Sequence, residues 1–284
     1  MSSSARKKRS TPMKFTTLFE NTACSDSLAS GHGLSLYIET AHHHILFDMG
    51  PDDGFARNAA SLGVDLERVD TAVLSHGHYD HGGGLETFTR MNPRAKIYIH
   101  RAAFGDYYAE RADGLEYIGI DQSLDLYRFT MTPDEYTIDD ELRLFGAVPD
   151  PIGALAASST LRQRTWDGTR QDVFAHEQNL LILEGDKAVL VAGCAHRGIV
   201  NIVRKAEELL GRKLTAVASG FHLFQLKEGD PKADGLIQST AQALTEGDTV
   251  YYTGHCTGDY AYEKLKEILG DQLHRICGGE SFEV

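Results

Sequence analysis

The run Val73-Leu-Ser-His-Gly-His-Tyr-Asp-His-Gly-Gly-Gly84 constrains this chain more than any other stretch. Three histidines and an aspartate fall within six residues, behind an apolar lead-in at residues 71 to 74 and ahead of three glycines. His76 and His78 are two apart, so at the end of an extended strand they point the same way. Asp80 and His81 follow on a turn and aim elsewhere. One loop thereby offers a pair of ligands to each of two ions held side by side. Imidazole and carboxylate together suit zinc, with iron and manganese as alternatives. A polar loop that is merely rich in histidine would have no reason to adopt this spacing between a strand and a glycine turn.

The second half of the chain repeats a simpler theme. Val191-Ala-Gly-Cys-Ala-His196, Ala218-Ser-Gly-Phe-His222 and Tyr252-Thr-Gly-His255 each read as a strand followed by glycine and histidine. In layered α/β folds, sites are built where strands exit into loops. Three such exits, in one chain with the His-rich loop, point to a single site. Alternation predicts strands at residues 14–20, 34–39, 44–48, 95–100, 180–184, 188–192, 214–219 and 249–253. Helical spacing predicts helices at 55–62, 85–91, 199–210, 237–244 and 261–269. Strands alternating with helices imply sheets covered by helices. The expectation is an α/β protein, an αβ/βα sandwich.

Residues 1–12, Ser-rich and basic, read as a disordered tail, and 13–284 as a single domain. Residues 101–172 show the least pattern and read as an irregular insertion forming a lid or binding wall. Its Tyr107, Tyr108 and Trp166 are candidates for stacking on a substrate, and Arg162, Arg164 and Arg197 for holding a phosphate. The triplet at His42, His43 and His44 sits at a hairpin tip and reads as a solvated turn.

Net charge is -13 over 284 residues. Such a chain repels a phosphate backbone unless it carries a basic groove, and no basic stripe follows the tail. Nucleic acid is therefore an unlikely partner, and a small molecule the expected one. No apolar run approaches the roughly 20 residues of a membrane helix. The four cysteines, at 24, 194, 256 and 277, form no close pair, which suggests reduced thiols and a cytoplasmic location.

Ser-His-Gly-His-Tyr-Asp-His-Gly-Gly-Gly resembles the His-x-His-x-Asp-His signature of the metallo-β-lactamase-fold superfamily. Further segments narrow the resemblance: His32-Gly-Leu-Ser35, Leu46-Phe-Asp-Met-Gly50, His176-Glu-Gln-Asn-Leu180, Gly193-Cys-Ala-His-Arg-Gly-Ile-Val-Asn201, Gly220-Phe-His-Leu223 and Gly254-His-Cys-Thr-Gly258. Together they look like the branch named after the 7,8-dihydropterin-6-ylmethyl-4-(β-D-ribofuranosyl)aminobenzene-5′-phosphate synthases.

The resemblance implies two divalent metal ions held by His76, His78, Asp80, His81 and His255, with either His176 or His196 closing the first site. It puts Cys194 where relatives carry a bridging acid, and Asp48 behind a ligand histidine; His32 belongs to the pocket. The implied activity is that of a metallohydrolase acting on a small ester or phosphoester, with Asp80 orienting the attacking water and His222 or His196 as proton donor. The family name offers a pterin or ribosyl-phosphate synthase as the alternative. A redox di-iron protein would be expected to show His-x-Glu-x-Asp-His and a flavin domain, and a non-catalytic ligand sensor would not need the full ligand set.

Overall fold

The computed structural model describes residues 12–149 and 160–284. The expected tail falls outside the described residues except for its last position. The chain begins with β1 (Lys14–Phe19), β2 (Ser35–Glu39), β3 (His44–Phe47), α1 (Gly54–Leu62) and β4 (Thr71–Leu74). Next come the short α2 (Tyr79–Gly82), α3 (Leu85–Met91) and β5 (Lys96–His100). Seven short strands follow: β6 (Asp106–Arg111), β7 (Gly114–Tyr117), β8 (Phe129–Thr132), β9 (Glu135–Thr137), β10 (Leu142–Phe145), β11 (Leu161–Thr165) and β12 (Gly168–Gln171). The chain closes with β13 (Asn179–Glu184), β14 (Lys187–Val191), α4 (Ile199–Leu210), β15 (Ala216–Ala218), α5 (Pro231–Leu244), β16 (Val250–Thr253), α6 (Asp259–Leu269), β17 (Leu273–Arg275) and β18 (Ser281–Glu283).

Two seven-stranded sheets form the body. The first runs β18-β1-β2-β3-β4-β5-β8 and the second β17-β16-β15-β14-β13-β10-β9. Phe15, Leu36, Phe47 and Val73 of the first sheet pack directly on Leu144, Leu180, Val189 and Val191 of the second. On the outer face of the first sheet, Phe55 of α1 and Phe88 of α3 cover Leu46 and Ile97. On the outer face of the second, Ile202 of α4, Ile237 of α5 and Leu265 of α6 cover Leu190 and Val217. Helix, sheet, sheet, helix is the αβ/βα sandwich. Ile199–Leu210 is a helix because apolar residues recur on one face of a twelve-residue run and Gly211, in the left-handed conformation, ends it.

The described residues between 101 and 172 are built largely of short strands, not the irregular insertion expected. Three strands, β8, β9 and β10, join the large sheets, and β12-β11-β6-β7 form a separate four-stranded antiparallel sheet. β7 and β12 are exposed along their whole length. A strand solvated on both faces carries no apolar alternation, so it left no pattern to read.

The cysteines also differ from expectation. Cys24 and Cys277 form a disulfide across 253 residues, with Cα atoms 5.9 Å apart, while Cys194 and Cys256 are free and buried. The loop after β1 runs beside the C-terminal segment, where Cys24 N–H donates to Gly278 O (2.8 Å) and Gly278 N–H to Thr22 O (2.8 Å). Spacing along the chain says nothing about such neighbours. Among the described residues, no helix is long and apolar enough to cross a membrane.

Candidate metal centre

The site lies along one edge of the sandwich, where parallel strands of both sheets end. β3 leads to Asp48, β4 to the His-rich loop, β14 to Cys194 and His196, β15 to His222 and β16 to His255. The chain must turn sharply at these exits. Asp48, Ala195, His222 and His255 all hold φ between 48° and 60°, the left-handed region that non-glycine residues enter at a cost. The sheets also approach closely here. A Cβ on Gly193 would stand 2.2 Å from Ser75 Oγ, so only glycine fits.

Four buried donor groups result, and they overlap. His76, His78 and His196 form one cluster and Asp80, His81, Cys194 and His255 a second; Cys194, His196 and His222, and His78, Asp172 and His176, share residues with these two, and the ligand atoms within each group lie within 4.8 Å of one another. His76 Nε2 and His196 Nε2 are 3.3 Å apart. In the second cluster His81 Nε2 is 3.1 Å from Cys194 Sγ and 3.2 Å from His255 Nε2, and the latter two are 3.3 Å apart. Ligand atoms bonded tetrahedrally to one zinc at about 2.0 Å stand about 3.3 Å apart, so these spacings match the edges of a coordination polyhedron.

The protons point away from both clusters. Ser75 Oγ donates to Asp48 Oδ2 (2.7 Å), so the 2.8 Å contact from His76 Nδ1 to Ser75 Oγ must be donated by the ring. His81 Nδ1 donates to Asp48 Oδ2 at 2.6 Å, and His255 Nδ1 to Asn21 Oδ1 at 2.8 Å. Each ring thereby turns its Nε2 to the cluster, where a bound cation would take the place of a proton.

The electrostatics agree. Burial, reinforced by neighbouring imidazoles, holds His76 and His196 well below the usual range and His78 at about 3, so these rings are neutral and free to coordinate. Burial also acts to lower His81, but Asp80 and Asp48 outweigh it and push the ring up to about 10. Asp80 is held well below the usual carboxylate range: burial opposes this, and the His81 charge with hydrogen bonds from His255, His32 and His81 prevails. Two buried carboxylates thus create a field that calls for a cation. The donor set, its spacing and that field fit divalent metal ions at both clusters.

The remaining candidates fall into place around the clusters. His176 stands behind the first: Gly77 N–H donates to its Nδ1 (2.9 Å) and its Nε2 contacts Asp172 Oδ2 (3.0 Å), so both nitrogens are engaged. His32, half exposed, sits at the rim with Nε2 3.2 Å from Asp80 Oδ2. His222 is buried, its ring 4.2 Å from that of His196, and neither of its nitrogens has a hydrogen-bond partner. A cleft of about 570 Å³ opens over the clusters, lined by His32, Asp80, Arg111, Ile118, Leu161 and His222 among others.

The aromatic wall takes a different form from the one expected. Tyr107 is buried and packs 4.0 Å from the His176 ring, while Trp166 is 98% exposed. Arg197 donates to the carbonyls of Val148 and Val173, and Arg164 lies over the Tyr108 ring. The four-stranded sheet contributes Ala109, Arg111 and Leu161 to the cleft instead, with Ile118 just beyond β7.

Several supporting residues escape a sequence reading. Glu177 accepts from the N–H groups of His196 (2.7 Å) and Arg197 (3.1 Å), fixing the loop that carries His196. Gln178 donates to Leu74 O (2.8 Å) and accepts from Thr132 Oγ1 (2.7 Å), tying the second sheet to the end of β4. Glu20 accepts the N–H of His255. For Glu177 and Gln178 the only signal is the polar run His176-Glu-Gln-Asn179 entering an otherwise buried strand.

A family model described as the metallo-beta-lactamase superfamily matches residues 30–157. An uncharacterized protein of Methanocaldococcus jannaschii is 31% identical over 257 residues, covering 88% of this chain and 93% of its own length. The chain belongs to the metallo-beta-lactamase superfamily. It is also 28% identical to the 7,8-dihydropterin-6-methyl-4-(beta-D-ribofuranosyl)-aminobenzene-5′-phosphate synthase of the same organism, over 94% of this chain and 95% of that one. Among solved structures, a metal-dependent hydrolase of the beta-lactamase superfamily superposes with a TM-score of 0.79 at 26% identity, over 96% of this chain and 99% of the other.

Proposed function

We propose that this chain is a metal-dependent hydrolase with a dinuclear centre that cleaves a small ester or phosphoester. The observation that carries this reading is the pair of adjoining buried clusters, with imidazole nitrogens spaced as ligands. In it His76, His78 and His196 hold one ion, and Asp80, His81, Cys194 and His255 the other. His176 supports the first site through Gly77 and Asp172 without entering it. Divalent ions so placed supply Lewis acidity and a water whose pKa is lowered toward about 7.

The chain's own residues then divide the work. Asp48, through Ser75 and His81, fixes the orientation of two ligand rings. Asp80, exposed to the cleft and contacted by His32, orients the attacking water by accepting its proton. His222, unpartnered and facing the cleft, delivers a proton to the leaving oxygen. Asp48 and Asp80 also oppose the dispersal of positive charge from the centre.

Protein purified without chelator tests the reading by metal analysis and a panel of phosphoesters, lactones and thioesters. We expect about two equivalents of a divalent transition metal, zinc above iron or manganese, and turnover of one class that stops on chelation. Absence of bound metal sinks the proposal.

A second reading is favoured by the match to the dihydropterin synthase across 94% of the chain. The same centre would then act as a Lewis acid in bond formation, with Arg111 in the cleft available to a phosphate. Calorimetric binding of a pterin phosphate distinguishes it; no heat on titration removes it.

A further inference from the structure

The loop that leaves β15 puts an aromatic ring at the metal cleft and holds it there. Leu223 and Phe224 both donate their N–H groups to Cys256 O, at 2.9 and 3.0 Å. The same loop rests on Gly258, where a Cβ would stand 2.6 Å from Phe224 Cα. The backbone of Phe224 is thus fixed, yet the residue is 45% exposed and lines the cleft beside Gln225. The rings of His222 and His32 meet the Phe224 ring at 80° and 52°, with centroids 5.4 and 6.3 Å away, so neither lies flat on it. Covering an exposed phenyl ring is favourable, and a ring fixed in advance loses little freedom when it is covered. An open aromatic face over a cleft, on a backbone that cannot fold it away, is a surface for another flat ring.

A second, independent feature gives the cleft a charge preference. Arg111, the last residue of β6, lines the same cleft. Glu116 Oε2 accepts from its Nε at 2.6 Å, which orients the guanidinium from one edge. The two terminal amino groups are left as a fork, the geometry that grips phosphate oxygens in pairs. Among the described residues that line the cleft, no other arginine or lysine occurs. A neutral ester would make no use of this fork, and an anionic one would.

We infer that the cleft takes a phosphoester whose alcohol carries a flat ring, with the ring laid on Phe224 and the phosphoryl oxygens reached by Arg111. Phe224 then determines specificity, and phosphoesters of small aliphatic alcohols are the poorer substrates. In the reaction the oxygen of water bonds to phosphorus and the bond from phosphorus to the alcohol oxygen breaks. One water proton goes to that leaving oxygen and the other stays with the phosphate. The inference rests on the proposed hydrolase function for this cleavage; the grip on ring and phosphoryl group stands on the cleft's own residues.

The test uses the full, zinc-loaded chain and calorimetric titration with phenyl-, cyclohexyl- and methylphosphonate, whose carbon–phosphorus bond water does not cleave. Phenylphosphonate should bind about tenfold more tightly than methylphosphonate, and more tightly than cyclohexylphosphonate, which is as large but not flat. Phe224→Ala should bring phenyl- and methylphosphonate within about twofold of each other, and Phe224→Tyr should keep the preference. Both contacts of Phe224 and Leu223 to Cys256 are made by the backbone, so Phe224→Ala retains the anchor of the loop. Arg111→Gln should weaken all three by about the same tenfold and leave their order unchanged. No saturable binding of phenylphosphonate, equal affinity for phenyl- and methylphosphonate, cyclohexylphosphonate matching phenylphosphonate, an undiminished preference in Phe224→Ala or no loss in Arg111→Gln would each overturn the inference. A ring preference without turnover of any ester sinks the hydrolase function alone, and turnover without a ring preference sinks this inference alone.

Discussion

Asp48 Oδ2 and His81 Nδ1 stand 2.6 Å apart in a pocket where neither side chain reaches solvent. Asp48 also receives the N–H and the hydroxyl of Ser75, at 2.7 Å each, so one carboxylate orients two neighbouring residues of the His-rich loop. It does so from a left-handed backbone conformation with φ 60°. Asp48→Asn keeps the size but offers a donor where three donors already converge. Metal affinity should fall by about 10- to 100-fold, measured by competition with a chelator. Unchanged affinity would show that the ligand rings are held by other contacts.

Cys194 makes a separate prediction. Its sulfur lies 3.1 Å from His81 Nε2 and 3.3 Å from His255 Nε2, and burial pushes the metal-free thiol up. A cation at this position would have to displace the proton, since thiolate is the ligand form. Cys194→Ser should lower metal content from about two equivalents to about one, leaving the cluster of His76, His78 and His196 loaded. Cys194→Asp, which puts a carboxylate in place of the thiol, should recover the second equivalent.

The Cys24–Cys277 disulfide pins the loop that follows β1, and that loop carries Asn21 and His32. Reduction, or the double serine variant, should destabilise the chain by about 2–4 kcal/mol in thermal melts. Reductant should have no further effect on the double variant. Because Asn21 orients His255, affinity for the second ion should drop as well.

A pH dependence follows from His43, which is remote from the metal clusters. Its Nδ1 is 2.8 Å from Asp70 and its Nε2 3.0 Å from Asp139. Burial acts to lower its pKa, but the hydrogen bond and charge of Asp70, with Asp139, leave it raised. A histidine with a raised folded pKa contributes stability that is fully present below its unfolded value of about 6.5 and is lost as pH rises through the folded value. The melting temperature of wild type should therefore exceed that of His43→Gln most near pH 5.5 and converge on it in the alkaline range. A constant gap would show that the ion pairs contribute nothing.

Much of the site was legible because its chemistry is local. His76 to His81 lie in one loop, and the glycine-histidine exits at 196, 222 and 255 occur where apolar strands stop. α4 matches residues 199–210 as read from periodicity. Which of His176 and His196 comes to lie against His76 Nε2 was not legible. It depends on Ala195 adopting φ 55°, and on Asp172 engaging the other ring. Glu20, Asn21 and Glu177 act on residues 19 to 235 positions away, and only folding brings them there. The strands β7 and β12 left no trace because neither face is buried. The disulfide was missed because its partners lie at opposite ends of the chain.

The two sheets share the donors unequally. His76, His78, Asp80 and His81 come from the first sheet, and Cys194, His196 and His255 from the second, and each cluster draws on both. Neither half carries a complete set. Cation affinity and the docking of one half on the other are therefore a single linked equilibrium, each strengthening the other by the same free energy. With cations bound, the centre would act as a clasp at one edge of the sandwich, and its occupancy would report whether the molecule is fully assembled.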